Sequence, residues 1–440
     1  MSDNNERGSV HDISAVTMEA AAERRLVRPG ESARHIDLSI TAPLAAPGAE
    51  RPPLSLALVV DRSGSMHGNK LTTAKAAALA VLDRLEARDR AAVVIFDSSV
   101  ETILSEGPMT MERKAEARTC LAKVEAGSST ALHEGWLTGC RAIAADTSVS
   151  TTGDRLSRCF LLTDGLANQG LTDPEAVAAQ AAEVRANAGV GTSTFGVGED
   201  YDEGLLAPMA VAGSGQFHNL RNLSEITEAF AGELGELFNV TARSVRIELE
   251  HDTRVTPEMV SMYQGAQGKK PGTLTVDIGD LIAAESRHIV VRLHFSGLDP
   301  GETASVRARV SWRQGEDRHA GEWRELRFEC AAHPACDAEA RSMAVMHWVG
   351  IHHADKAKKE AIGLYHRDDF RGAVAVLTSV IHRLREYAKG DADLEKALEE
   401  LERQRQVCKE GKLTRAMSKE LTHGYMSSSR GQRDHRGKHS

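Results

Sequence analysis

The segment Asp61-Arg62-Ser63-Gly64-Ser65 follows directly on an apolar run, Leu56 to Val60 (LALVV). A loop leaving a buried strand in this way turns alternate side chains, Asp61, Ser63 and Ser65, into one concavity. One carboxylate and two hydroxyls are hard oxygen donors, suited to Mg²⁺, Mn²⁺ or Ca²⁺ rather than zinc. Three oxygens do not complete a site. Two further polar segments stand where a sheet could bring them to the same place. Ser128-Ser129-Thr130 precedes a helix expected from Ala131, where it reads as a cap, and Thr163-Asp164-Gly165 ends the apolar strand Arg158 to Thr163. Serine and threonine ahead of helices often serve only as caps. Three loops converging with two unpaired carboxylates favour a metal site over capping alone.

The elements that must position these residues alternate between strand and helix. After LALVV comes a helical stretch, Lys70 to Arg88, with Leu71, Ala74, Ala78, Leu82 and Leu85 at helical spacing. Ala91 to Phe96 (AAVVIF) reads as a second buried strand, and further strands are expected at Arg158 to Thr163 and Thr192 to Val197. Helices are expected at Met111 to Ala126, Ala131 to Ala145, Asp173 to Ala188 and Ser224 to Phe238. This alternation predicts an α/β fold with a mostly parallel sheet between helices. Ligands of such sheets bind outside the carboxyl ends of the strands, and the three polar segments fall there.

The flanks differ. From Val245 to Phe328 apolar residues alternate with polar ones, as in Ile289, Val291, Leu293 and Phe295, which predicts an antiparallel sheet with one wet face. A single run of the same kind, Ile36, Leu38 and Ile40, precedes the α/β segment. A lone strand is not stable, so it is expected to pair with the later strands, making the α/β unit an insertion in a discontinuous β domain. The expected division is a tail at 1–22, a β-sandwich-like domain from 23–53 plus 241–332, the α/β domain at 54–240, helices at 337–425 and a disordered tail at 426–440. Two or three helices in hairpins are expected in the C-terminal region.

The residues DRSGSM at 61–66, SST at 128–130 and LLTDG at 161–165 together resemble a von Willebrand factor type A (VWA) domain with a complete metal-ion-dependent adhesion site. GVG at 196–198, followed by acidic residues and two leucines, is similar to that family's fifth-strand region. The likeness covers about 54–240 and implies a Rossmann-like fold. It assigns ion coordination to Ser63, Ser65 and Thr130, with Asp61 and Asp164 acting directly or through waters. It also implies a divalent cation, Mg²⁺ first with Mn²⁺ or Ca²⁺ as alternatives, and a protein partner that offers the ion a Glu or Asp. In bacterial relatives of this kind such partners include AAA+ ATPases and multiprotein assemblies. The layout of an inserted domain followed by helices is similar to bacterial and eukaryotic proteins, inter-alpha-trypsin inhibitor heavy chains among them.

Composition narrows the alternatives. The 440 residues carry 54 basic and 63 acidic side chains, a net charge of −9, which argues against nucleic-acid binding by charge alone. No run of about 20 apolar residues is present to span a bilayer. The polar start and six scattered cysteines lead to the expectation of a cytoplasmic protein with reduced thiols. Neither G-x-G-x-x-G nor G-x-x-x-x-G-K-[ST] occurs. A haloacid-dehalogenase-like phosphotransferase also places an aspartate after its first strand, but it needs a second acid two residues on, where this chain has Ser63. Catalysis is therefore not expected, and the remaining alternative is a metal-independent scaffold. Cys330, His333 and Cys336 lack a fourth zinc ligand and read as a connector. His347, His352, His353 and His366 read as a solvated helix surface, and Arg430, Arg433, Arg436 and Lys438 as a solvated tail.

Overall fold

The computed structural model describes residues 15–45, 51–144, 155–263, 265–268, 270–315 and 317–429. Its six-stranded sheet runs, in spatial order, Val100–Pro108, Arg90–Phe96, Leu54–Asp61, Leu156–Thr163, Val190–Val197 and Ser214–Leu220. All neighbours are parallel except the Val100–Pro108 edge strand, which is antiparallel. Every residue of the Leu54–Asp61, Leu156–Thr163 and Val190–Val197 strands is buried, because helices cover both faces. Helices Asn69–Arg84 and Leu223–Phe238 pack Leu71, Ala74, Ile226 and Phe230 on one face. Leu132–Ile143, Pro174–Ala188 and Glu203–Ala212 cover the other.

Helix Leu132–Ile143 lies unusually close to the sheet. A Cβ at Gly139 would stand 2.3 Å from Val59 Cγ2, so only glycine allows that approach. The helix entry, and Thr130 with it, is thereby drawn in over the strand ends. The edge strands Val100–Pro108 and Ser214–Leu220 and the helix Glu203–Ala212 are additions to the expected elements. Their apolar residues are interrupted (VETILSEGP) or too evenly apolar (EGLLAPMAVA) to show a clear period.

The β domain consists of two sheets, antiparallel except where Leu26–Val27 pairs in parallel with Arg324–Cys330, and their inner faces form a separate core. In the four-stranded sheet, Gly30–Thr41 lies between Thr17–Ala22 and Ser286–Leu298, with Ile36 opposite Val291 and Leu38 opposite Ile289. The α/β domain is thus inserted, in sequence, between Gly30–Thr41 and the later β-domain strands, of which Ser286–Leu298 pairs with Gly30–Thr41. Residues 17–22 were expected in a tail but form a strand. Their sequence TMEAAA shows little hydrophobic contrast, and pairing to Gly30–Thr41 supplies what alternation does not. On the seam between the domains, Asp280 accepts hydrogen bonds from Arg185 Nη2 at 2.6 Å and the Ser244 N–H at 2.9 Å. Arg158 Nη2 lies 3.6 Å from its other oxygen.

The C-terminal region holds four long helices, Met343–His366, Phe370–Arg385, Ala392–Lys409 and Arg415–Ser429, after a short one at His333–Ala338. This exceeds the expected two or three. The last helix docks on the α/β domain, where Lys419 Nζ donates to the Glu199 carbonyl and sits 3.5 Å from the Tyr201 ring centroid. Residues 426–429 belong to this helix rather than to a tail; residues 430–440, with Arg430, Arg433, Arg436 and Lys438, lie outside the described residues. The histidines also correct the expectation. Helix Met343–His366 packs on the four-stranded sheet, so His352 is buried with Nε2 at 3.0 Å from the His288 carbonyl. His347 contacts Asp391 at 2.6 Å, and His366 alone of the four is exposed, with its Nε2 3.2 Å from Ser418 Oγ.

Candidate metal centre

Asp61 ends the central strand and has no solvent exposure. Its Oδ1 accepts the Ser63 N–H at 2.7 Å, and its Oδ2 accepts the Thr163 hydroxyl at 2.5 Å from the neighbouring strand. Burial, with the charge of Asp164 added, raises its pKa to about 6. Asp164 is equally buried. Its Oδ1 accepts the Ser65 hydroxyl at 2.6 Å, and Ser65 Oγ lies 3.1 Å from Ser63 Oγ. The Ser63, Ser65 and Asp164 side chains therefore form one connected chain of oxygens.

The third loop is tied to the other two through backbone. The Gly64 N–H donates to the Ser128 carbonyl at 2.9 Å, and Gly127 donates to the Arg62 carbonyl at 2.6 Å. The Thr130 N–H donates to Asn168 Oδ1 at 2.9 Å, which joins it to the loop after Asp164. Gly165 reports where the hydroxyls meet. A Cβ placed there would lie 3.4 Å from Ser65 Oγ, 3.6 Å from Thr130 Oγ1 and 3.9 Å from Ser63 Oγ. Three hydroxyls surround one point beside a buried carboxylate, and the absent side chain of Gly165 keeps it clear. Ser129 is used otherwise, its hydroxyl accepting from Gln169 Nε2 at 2.7 Å.

Two expectations are corrected. Residues 128–130 do not cap the following helix, whose N-cap is Ala131 without a side-chain hydrogen bond. Thr130 instead turns its hydroxyl toward the other two. Asp164 is not unpaired, since Lys70 Nζ stands 2.5 Å from its Oδ2. No role at the site was expected for Lys70, Thr163, Asn168 or Gly165 themselves. Lys70 and Thr163 carried a signal: a lysine in a helix's first turn, and a threonine closing an otherwise apolar strand.

Elsewhere, the Cys330 and Cys336 thiols donate to the carbonyls of Leu298 and Val27, and burial raises the pKa of Cys330. One more group of ligand types lies together among the described residues, His347, Asp391 and Asp393. There Asp391 already caps a helix, accepting from the Asp393 and Leu394 N–H groups.

Residues 55–232 match the family model for the von Willebrand factor type A domain, and this segment is such a domain. A Synechocystis sp. protein, sll0103, is 28% identical over 263 residues, covering 57% of this chain and 60% of that one. Inter-alpha-trypsin inhibitor heavy chain H3 of Mesocricetus auratus is 27% identical over 204 residues, covering 44% of this chain and 22% of that one. The chain thus spans less than two thirds of the length of these curated relatives. A solved structure titled von Willebrand factor type A from Catenulispora acidiphila superposes with a TM-score of 0.69 at 19% identity, over 86% of this chain and 87% of that one. That likeness shows the fold, including the β domain and the C-terminal helices. VWA domains commonly act in protein interaction. Among the described residues no helix is long and apolar enough to cross a membrane.

Proposed function

We propose that the chain is a divalent-ion-dependent protein-binding module. Asp61, Ser63, Ser65, Thr130 and Asp164 hold the ion, which takes a Glu or Asp of a partner as a further ligand. The observation that carries this reading is the convergence of three hydroxyls on one point beside buried Asp164. Three of the five ligands are neutral hydroxyls, so only Asp61 and Asp164 stand against the ion's charge, and the ion can still take an external carboxylate. Oxygen donors of this kind suit Mg²⁺ first, with Mn²⁺ or Ca²⁺ as alternatives. The partner class extends to an AAA+ ATPase or a multiprotein assembly. The free state of all six cysteines supports a reducing, cytoplasmic setting.

The module is non-catalytic on this reading. Both oxygens of Asp61 are engaged by Ser63 and Thr163, which leaves a poor nucleophile, and Ser63 is no general acid. The test is capture of partners by the full chain with and without chelator, set against Asp61→Ala. Loss of the same partners in chelator and in the variant supports the module; undiminished capture in EDTA leaves a metal-independent scaffold.

A further inference from the structure

Lys70 lies in the first turn of helix Asn69–Arg84, and that turn contains no acidic residue. The helix dipole is positive at that end, so a cation there is disfavoured unless something else holds it. What holds it is Asp164. The ammonium is 2.5 Å from Oδ2 of a carboxylate with no exposure, while the lysine side chain itself is one-third exposed. The neighbouring loop gives it room: Gly198 has φ +79°, and a Cβ there would lie 4.0 Å from Nζ. A local rule is broken at the rim of the pocket, where such breaks accompany function.

We infer that Lys70 is a tethered cation that occupies Asp164 in place of a divalent ion, and that the ion must expel it to bind. This rests on the metal-binding reading above. Asp164 has one oxygen on Ser65 and the other on Lys70, so an ion drawing on this carboxylate meets an ammonium already in place. Two cations a few ångströms apart in a partly desolvated pocket repel strongly. Lysine can yield because its charge sits on a flexible four-carbon stem that reaches solvent. The lysine supplies one positive charge against the two carboxylates Asp61 and Asp164, and a divalent ion supplies two. With the ion bound and Lys70 released to the rim, the site carries one surplus positive charge, which the partner's carboxylate neutralises. Lys70 thus weakens the binding of the ion alone and leaves the loaded site attractive to an acid. An ion pair on a carboxylate that takes no part in holding the ion would leave ion affinity unchanged.

Calorimetric titration of Mn²⁺ into the metal-free full chain separates these roles, with Lys70→Met, Lys70→Gln and Lys70→Arg beside the wild type. Removing the charge should tighten ion binding about tenfold, in Met and Gln alike, while Lys70→Arg stays near the wild type. Thermal melts in EDTA confirm folding, and the rise in melting temperature on adding Mn²⁺ should be larger in Lys70→Met than in the wild type. If the wild type binds Mn²⁺ and neither neutral variant binds it more tightly, the tethered-cation role is wrong while the metal site stands. If no form binds Mn²⁺, Mg²⁺ or Ca²⁺, both fall together.

Discussion

Asp61 and Asp280 are both buried carboxylates, one at the strand ends of the VWA domain and one on the seam to the β domain. Burial pushes both toward the protonated form, but their partners differ. Asp280 has Arg185 and Arg158 against it, which overcome burial and lower its pKa to about 2. Asp61 has only neutral donors, from Thr163 and Ser63, with a second carboxylate nearby, and its pKa rises to about 6. The seam thus carries its own counter-charge and acts as a clamp. The pocket holds two carboxylates against one lysine and lacks positive charge. A carboxylate fully neutralised by arginines serves the fold, whereas one left short of charge is what the proposed metal site calls for.

The largest expected effect lies on the clamp. Asp280→Ala leaves Arg158 and Arg185 without their counter-ion, and should lower stability by about 3–5 kcal/mol, read by urea unfolding. Divalent-ion binding by the folded variant should be unchanged, since none of the pocket residues is touched. Loss of ion binding there would blur the distinction between the two sites.

A second test uses pH at the packing of helix Met343–His366 on the sheet. Burial lowers the pKa of His352 to about 4 from 6.5, although its bond to the His288 carbonyl and the nearby Asp37 favour protonation. The unfolded chain therefore binds the proton first as pH falls. The contribution is full above about 6.5 and is lost toward pH 4, at most about 3 kcal/mol. His352→Gln should flatten unfolding curves measured across that window. An unchanged slope would mean that His352 does not titrate as a buried group.

The third test separates neighbouring hydroxyls. Thr130→Ala removes one of the three groups converging beside Gly165 and should weaken Mn²⁺ binding by about tenfold, comparable to losing one polar ligand contact. Ser129→Ala, whose hydroxyl is held by Gln169, should leave the affinity within error. The reverse ranking in calorimetry would reassign the ligand.

Much of this was legible before any coordinates. Asp61, Ser63, Ser65 and Asp164 were readable because each follows a continuous apolar run that could only be a buried parallel strand. The pairing of Ile36 to Ile40 with later strands was readable from alternation and the need for a partner. Lys70 was only half legible, because its place in a helix's first turn is unusual for a cation, yet a lysine in an amphipathic helix ordinarily faces solvent and the spacing does not mark which way it reaches. The clamp was hidden similarly. Arg158 sits inside the strand LSRCFLLT, and its place depends on Gly191, where a Cβ would stand 2.3 Å from Arg158 Nη1. His352 was misjudged because its burial comes from a sheet about 60 residues earlier in sequence. Spacing reveals what neighbouring residues do together; it does not reveal which distant surface covers them.

Ion binding through Asp164 and its neighbours is what the proposed function stands on. The most direct measurement is the melting temperature of the full chain in EDTA and in saturating Mg²⁺, Mn²⁺ or Ca²⁺, for the wild type and Asp164→Ala. At an ion concentration near 100 times the dissociation constant, linkage gives about 2.7 kcal/mol of stabilisation. The wild type should melt higher with at least one of the three ions, and Asp164→Ala should melt at the same temperature with and without them. A wild type unmoved by all three, or a variant that keeps the full shift, would contradict the account.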